Sequence, residues 1–106
     1  IFGNNPQIYF NDNIDDPRDL KNFSDEIKQK FLDGIIVLVS KKNDKISLVV
    51  SITNSYQEKY NAIDLLKKFV EFLGGKGGGG RSDLAQGGAP FSKKVNELKN
   101  FILSIL

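Results

Sequence analysis

One glycine-rich stretch, residues 74–88, constrains this chain more than any other feature of its sequence. It holds eight of the ten glycines found in the 106 residues. Glycine brings no side chain to a core and loses the most backbone entropy on ordering, so neither a core strand nor a helix is expected to contain so many. We therefore predict a loop that bends sharply or lets another molecule touch its backbone.

The other residues of this stretch argue against a flexible linker. Gly/Ser linkers are compositionally uniform, whereas residues 81–86 read Arg-Ser-Asp-Leu-Ala-Gln. A purely structural loop between a helix and a strand remains an alternative. The common nucleotide-binding patterns fit poorly, because Lys76 precedes the main glycine run instead of following it. The glycines also lack the spacing of the dinucleotide fingerprint.

Composition excludes most catalytic chemistry. The chain contains neither cysteine nor histidine, which excludes disulfides, thiol nucleophiles, histidine general bases and the common zinc sites. We assign no catalytic and no metal-ligating residue. The net charge is only +2, and 13 of the 15 basic residues are lysine. Arg81 is an arginine inside the glycine stretch. It therefore indicates a site that needs a planar guanidinium group able to form bidentate hydrogen bonds.

The ends and the hydropathy of the chain indicate an excised, non-membrane domain. The sequence opens at Ile1, contains no methionine, and shows no basic-then-apolar leader. It has no run of eighteen apolar residues, so we expect no membrane span. The lack of cysteine fits a reducing compartment, and we expect a cytoplasmic location.

The first residues predict a strand and a helix. Residues 7–10 form a short apolar run typical of a strand, and the polar residues 11–15 are expected to form a loop. Asp16-Pro17 is a typical helix start, and Asp33-Gly34 is expected to end the helix. Its apolar residues recur every three or four positions: Leu20, Phe23, Ile27 and Phe31.

The middle of the chain predicts a hairpin and the strongest helix. Two apolar runs, residues 35–39 and 46–52, flank the charged residues 41–45, which favours an antiparallel hairpin with a first strand covered on both faces. Residues 62–73 carry a helical apolar stripe, and Gly74 is expected to stop it.

After the glycine stretch we predict one more strand and one more helix. Leu84–Gln86 is expected to form a short strand beside the hairpin. Pro90 is expected to begin the last helix. The apolar stripe of that helix comprises Phe91, Val95, Leu98, Ile102 and Ile105. These elements predict an α/β fold, a small mixed sheet of about four strands with three helices packed on it.

The glycine stretch closely resembles the signature of one family. Residues 74–88 read Gly-Gly-Lys-Gly-Gly-Gly-Gly-Arg-Ser-Asp-Leu-Ala-Gln-Gly-Gly. This is similar to the pattern Gly-Gly-Lys-Gly-Gly-Gly-Arg-Pro-Asp-Met-Ala-Gln of the DHHA1 domain at the C-terminus of alanyl-tRNA synthetase. Ser82 stands where proline is common, and Leu84 stands for methionine. The resemblance covers residues 16–106, and residues 1–15 are interpreted as a leader with the first strand.

The resemblance implies a module that binds RNA and is not itself an enzyme. Such domains grip the outer corner of alanine tRNA and support aminoacylation and editing by the parent alanine–tRNA ligase. ATP, magnesium and zinc belong to parent domains that lie outside this sequence, so we expect no cofactor here. The expected partners are alanine tRNA and the catalytic and editing domains of the same chain. We expect this fragment to be a monomer, although the parent can be a homodimer.

We expect RNA to contact the glycine stretch through backbone amides and basic side chains. Consecutive glycine amides can converge on an anionic oxygen, and Lys76 and Arg81 can meet phosphate. Asp83 is expected to hold Arg81 or to cap amides, with Gly87 and Gly88 helping to shape the loop. The predicted nucleic-acid-binding residues are Gly75, Lys76, Gly77, Gly78, Gly79, Gly80, Arg81 and Gln86.

Other interpretations stay open at this point. The lysines among residues 41–45 can contact phosphate or simply be solvated in an exposed turn. Tyr56 and Tyr60 can stack on bases or pack at the margin of the core. Related DHHA1 domains hold nucleotide substrates for DHH-family phosphoesterases, but their glycine motifs carry a histidine that this chain lacks. A purely structural or protein-interaction domain is the third hypothesis.

Overall fold

The described residues build a five-stranded mixed sheet with helices on both faces. A computed structural model describes residues 7–30, 34–53, 56–75 and 77–105. The strands are β1 (Gln7–Ile14), β2 (Gly34–Lys42), β3 (Lys45–Ile52), β4 (Gly77–Gly80) and β5 (Leu84–Pro90), in the order β1-β2-β3-β5-β4. The α-helices are α1 (Leu20–Lys30), α2 (Ala62–Phe72) and α3 (Leu98–Ile105), and 3₁₀ helices at Pro17–Asp19 and Lys93–Glu97 lead into α1 and α3. None of the described helices is both long enough and apolar enough to cross a membrane.

Strand directions divide the sheet into one parallel pair and two hairpins. β1 and β2 are parallel and are joined through α1, whereas β2–β3, β3–β5 and β5–β4 are antiparallel. The β2–β3 turn passes through Asn43 and Asp44, with φ angles of 56° and 60°. A two-residue type I′ turn needs this left-handed conformation at both positions, and asparagine and aspartate tolerate it. The predicted hairpin is confirmed, with a tighter turn.

The two faces of the sheet carry cores of different size. On one face, α2 and α3 cover a large cluster that includes Leu48, Phe69 and Ile102. On the other face, α1 covers a smaller cluster that includes Leu20 and Ile36. Because β2 is covered on both faces, its first seven residues are all buried, as its unbroken apolar run predicted.

The predicted α/β class, mixed sheet and three helices are confirmed, and the sheet has one strand more than predicted. The fifth strand, β4, is made entirely of glycine, residues 77–80. Glycine has a low intrinsic preference for strands, but that preference depends strongly on context. Here the ladder to β5 fixes the backbone through hydrogen bonds that need no side chain.

Element boundaries differ from the predictions at two places. β1 continues through residues 11–14, which were predicted as a loop, because β2 offers a parallel partner with a register shift. β1 therefore belongs to the same sheet as the rest of the chain. β5 runs to Pro90, and the last helix begins later than predicted, after Ser92. The Ser92 hydroxyl caps it by accepting from the Lys94 amide at 3.2 Å. Phe31 and Asp33 lie outside the described residues.

Candidate nucleic-acid interface

The hairpin formed by β4 and β5 is held firmly at its tip. The chain turns through Ser82 and Asp83, and Arg81 closes the turn by donating its amide to the Leu84 carbonyl at 2.7 Å. The Ser82 carbonyl accepts from the Ala62 amide at the start of α2 (2.7 Å), and the Asp83 carbonyl accepts from the last amide of β3 (2.9 Å). These bonds anchor the tip to a helix and a strand, so the segment is a fixed element and not a linker.

Two glycines of β4 are required by its close approach to β5. A Cβ at Gly78 would lie 2.5 Å from the Gly87 Cα. Gly80 has a φ of 150°, which side chains disfavour, and a Cβ there would lie 2.6 Å from the Ala85 Cα. Side chains at these two positions would force β4 away from β5. Gly79 is different, because nothing lies within 4 Å of its Cβ position.

β4 is an edge strand with a bare backbone. Among the described strands it pairs only with β5, so about half of its N–H and C=O groups point away from the sheet. Successive amides of an extended strand point to opposite edges. The predicted convergence of these glycine amides on one anion therefore does not occur in residues 77–80. The edge instead presents spaced donors and acceptors, which suit an extended polymer better than a single ion.

One face of this hairpin is open beside α1. α1 packs mainly on β2 and β3, while Gln86 pairs with Val49 and Gly79. Since Val49 belongs to the α1-side core, the exposed Gln86 side chain lies on that same face. A cavity of about 270 Å³ lies next to it, lined by Pro17, Leu20, Ser47, Leu48, Gln86 and Gly87. Gln86 is thus placed on an accessible, concave surface.

Two cations meet one carboxylate at the tip. Arg81 donates through Nε to Asp83 Oδ1 at 3.1 Å, and Lys28 Nζ of α1 lies 3.9 Å from Asp83 Oδ2. Burial acts to raise the pKa of Asp83, but hydrogen bonds from Arg81 and from its own amide, together with both positive charges, leave that pKa below its usual value. The Arg81 side chain is 70% exposed. Asp83 therefore orients the guanidinium through Nε, and the cluster keeps a net positive charge.

The other predicted site residues occupy different environments. Gly75 is half-buried against α2 and β5 and is a packing position. Gly87 and Gly88 lie within β5, between β3 and β4. Gly77 pairs with Gly88, about 10 Å along the strand from the end that carries the arginine. Lys76 lies outside the described residues.

Two tyrosines are partly buried at the core, and one phenylalanine lies exposed outside its predicted helix. Tyr56 and Tyr60, considered above for base stacking, have ring centroids 6.3 Å apart and pack against the main core. Phe91 was predicted within the apolar stripe of the last helix, yet it is 51% exposed beside the β2–β3 turn. Its place between Pro90 and the capping residue Ser92 is the sequence signal that would have put it outside the helix.

The sequence is similar to one domain family and to two proteins of known name. The DHHA1 domain model matches residues 4–106. The chain is 51% identical over 73 residues to an alanine–tRNA ligase of Paramagnetospirillum magneticum, covering 69% of this chain and 8% of that protein. It is 41% identical over 81 residues to an alanine–tRNA ligase of Parvibaculum lavamentivorans, covering 76% of this chain and 9% of that protein.

A solved structure agrees with these relatives. The crystal structure of the C-Ala domain from Aquifex aeolicus alanyl-tRNA synthetase has a TM-score of 0.82 and 31% sequence identity, and the match covers 93% of this chain and 89% of that one. The chain spans less than a tenth of the length of the two ligases. It belongs to the DHHA1 domain family, and its fold is that of the C-Ala domain.

Proposed function

We propose that this chain is the tRNA-binding module of an alanine–tRNA ligase. It contacts the outer corner of alanine tRNA through the glycine hairpin, which we define as residues 77–90. The module carries out no chemistry itself. It supports aminoacylation and editing by the catalytic and editing domains of the same cytoplasmic protein, and as an isolated fragment it is a monomer.

The observation that carries this proposal is the side-chain-free edge strand β4. Phosphate and sugar groups can approach bare backbone more closely than backbone shielded by side chains, and backbone N–H groups are common phosphate donors. Such contacts read the shape of an RNA and carry little base information. A module that recognises the folded corner of one tRNA, and leaves base identity to other domains, needs this kind of surface.

Arg81 adds a charged contact at one end of that strand. Its Nε is engaged by Asp83, and its other guanidinium nitrogens make no hydrogen bond to a described residue. An oriented fork of this kind fits phosphate in two-pronged geometry. The exposed Gln86 supplies an amide beside the hairpin, which suits a ribose hydroxyl or a base edge.

Two alternatives, a phosphoesterase domain and a purely structural domain, have less support and can be distinguished from this proposal. The relatives named above are alanine–tRNA ligases, which favours the synthetase form of the family over the phosphoesterase form. A purely structural role for the glycine hairpin predicts that no surface substitution on it changes RNA binding.

The chain offers a matched pair of arginines for the test. Each has an aspartate partner two positions away: Arg81 with Asp83 at 3.1 Å, and Arg18 with Asp16 at 2.8 Å. Both side chains are mainly exposed, and either alanine substitution removes one positive charge. We expect Arg81→Ala to weaken binding of an alanine tRNA transcript about 5- to 10-fold and to reduce the salt slope by about 1. Arg18→Ala is expected to leave both unchanged.

Two measurements decide the proposal. Affinity is measured by titration at several salt concentrations, and the contact surface is mapped from amide shifts of isotopically labelled protein on adding tRNA. Shifts concentrated on residues 77–90, with the arginine difference above, support the proposal. Equal losses in the two variants, or shifts that leave this hairpin untouched, overturn it.

A further inference from the structure

An exposed aromatic ring stands next to a lysine-rich turn at the end of the sheet opposite Arg81. Phe91 follows β5 directly, and its amide donates to the Asp44 carbonyl at 3.0 Å, which fixes it beside the β2–β3 turn. Phe91 is 51% exposed. A cavity of about 260 Å³ opens beside it, lined by Lys41, Lys42, Asn43, Asp44 and Phe91.

The surroundings of this ring are positively charged. Lys42 and Lys45 flank the turn, and Lys93 follows the ring by two residues. All three are exposed, and none forms an ion pair with another described residue. Lys41 is partly neutralised by Asp12 at 3.8 Å. Lys42 attracts Asp16, whose pKa is lowered mainly by the Arg18 hydrogen bonds and in small part by Lys42, and Asp44 adds one carboxylate to the cavity wall. The balance around the ring is cationic.

Two further cavities lie between this turn and Gln86. The cavity beside Phe91 shares Asp44 with a second cavity of about 420 Å³ that reaches Gly88 and Ser47. That second cavity shares Ser47 with the cavity beside Gln86. Phe91 lies five residues beyond Gln86, roughly 17 Å along the extended chain.

We propose that Phe91 is a stacking platform for an unpaired RNA base, and that Lys42, Lys45 and Lys93 hold the flanking phosphates. The site extends the proposed function to a second surface that contacts single-stranded nucleotides. Aromatic rings stack on any base because every base has a π-face, and lysines track the connecting backbone.

The chemistry of the patch favours RNA over other occupants. Three lysines without described ion-pair partners disfavour an apolar protein partner, because charges are depleted at the centre of protein interfaces. A polyanion without rings would use the lysines but gain little from the phenylalanine. The 260 Å³ cavity is also smaller than the roughly 300–1,000 Å³ typical of ligand pockets, which suits a single planar group.

The test uses a short RNA that cannot form the corner of a tRNA. A fluorescein-labelled, unstructured uridine hexamer is titrated with the 106-residue chain at about 50 mM salt and followed by anisotropy. We expect Phe91→Leu to weaken binding about tenfold and Phe91→Tyr, which keeps the ring, to stay within about twofold of the original chain. Leu103→Ala is the control, since Leu103 is 53% exposed on α3. Lys42→Gln should weaken binding, and Lys99→Gln on α3 should not.

The outcomes separate this proposal from the one above. If Phe91→Leu binds the hexamer as well as the original chain, or if the original chain does not bind it, the stacking site is wrong. If inorganic polyphosphate competes and only the lysine variants lose affinity, the patch is a general anion surface and the stacking site is again wrong. If the hexamer binding depends on Phe91 while alanine tRNA leaves residues 77–90 unshifted, this proposal stands and the proposed function falls.

Discussion

Two antiparallel hairpins belong to the same sheet but differ sharply in amino-acid composition. The β2–β3 hairpin is rich in isoleucine, valine and leucine and lies between both cores. The β4–β5 hairpin is made largely of glycine and small residues, and its outer strand has nothing beyond it among the described residues. The first hairpin buries side chains, and the second exposes backbone.

The difference indicates that one part of the sheet stabilises the fold while another part is available to contact a ligand. A strand gains stability mainly through the side chains that it buries and pairs, and β4 has none. Its place depends on β5, on α2 beside it and on the anchored tip. This arrangement leaves an ordered surface that offers backbone groups, and the following predictions test whether stability and contact are separated in this way.

The largest expected effect is on the buried hairpin. Leu48 is 1% exposed in β3, and Leu48→Ala should lower the free energy of unfolding by about 2–5 kcal/mol because it removes core contacts and leaves a cavity. Urea denaturation measures this, with Leu103→Ala as a surface control that should stay within about 0.5 kcal/mol. A small loss at Leu48 would mean that this hairpin is not the stabilising half of the sheet.

An intermediate effect is expected inside the glycine strand. Gly80→Ala should lower the free energy of unfolding by about 1–3 kcal/mol, because its φ of 150° and its contact with Ala85 exclude a side chain. Gly79→Ala, one residue earlier on the open side, should change it by less than about 0.5 kcal/mol. Equal losses at both positions would show that β4 does not hold the close register with β5 described above.

The smallest expected effect is the pH dependence at the hairpin tip. The pKa of Asp83 is lowered in the folded chain, so its stabilising contribution is present above the unfolded value of about 3.9 and is lost as pH falls through the folded value. Asp83→Asn should therefore reduce the loss of stability on acidification below about pH 4. Urea denaturation across that range measures it, and Asp25→Asn on the exposed side of α1 is the control. An unchanged acid profile in Asp83→Asn would contradict the ion pairs at the tip.

Elements with strong periodicity could be predicted from the sequence, and the glycine strand could not. The apolar runs of β2 and β3 and the stripe of α2 set their own structure through burial. β4 has no side chains to form a pattern, and its structure depends on pairing with β5, which is invisible in its own residues. Residues 11–14 were not predicted as part of a strand for the same reason. Their side chains are polar, and they extend β1 because β2 provides a pairing partner.

The candidate site was predictable in composition but not in shape. The opposite charges of Arg81 and Asp83, two positions apart, made an ion pair one of the two roles expected for Asp83, and the structure shows that pair at 3.1 Å. The extended glycine backbone replaced the expected convergence of amides on one anion, because strand pairing fixed the direction of each amide. Phe91 was missed because its spacing fits the following helical stripe, while Pro90 and the Ser92 cap place it before the helix.

The most direct test of the account is Gly79→Val, measured for stability and for tRNA binding together. A valine at Gly79 meets nothing within 4 Å at its Cβ and projects onto the open face of the hairpin. Gln7→Val, on the opposite edge strand β1, is the matched control. We predict unchanged or higher stability in both variants, and an affinity for alanine tRNA about tenfold or more lower in Gly79→Val alone. Unchanged affinity in Gly79→Val would contradict the claim that this bare strand is the RNA-contacting surface.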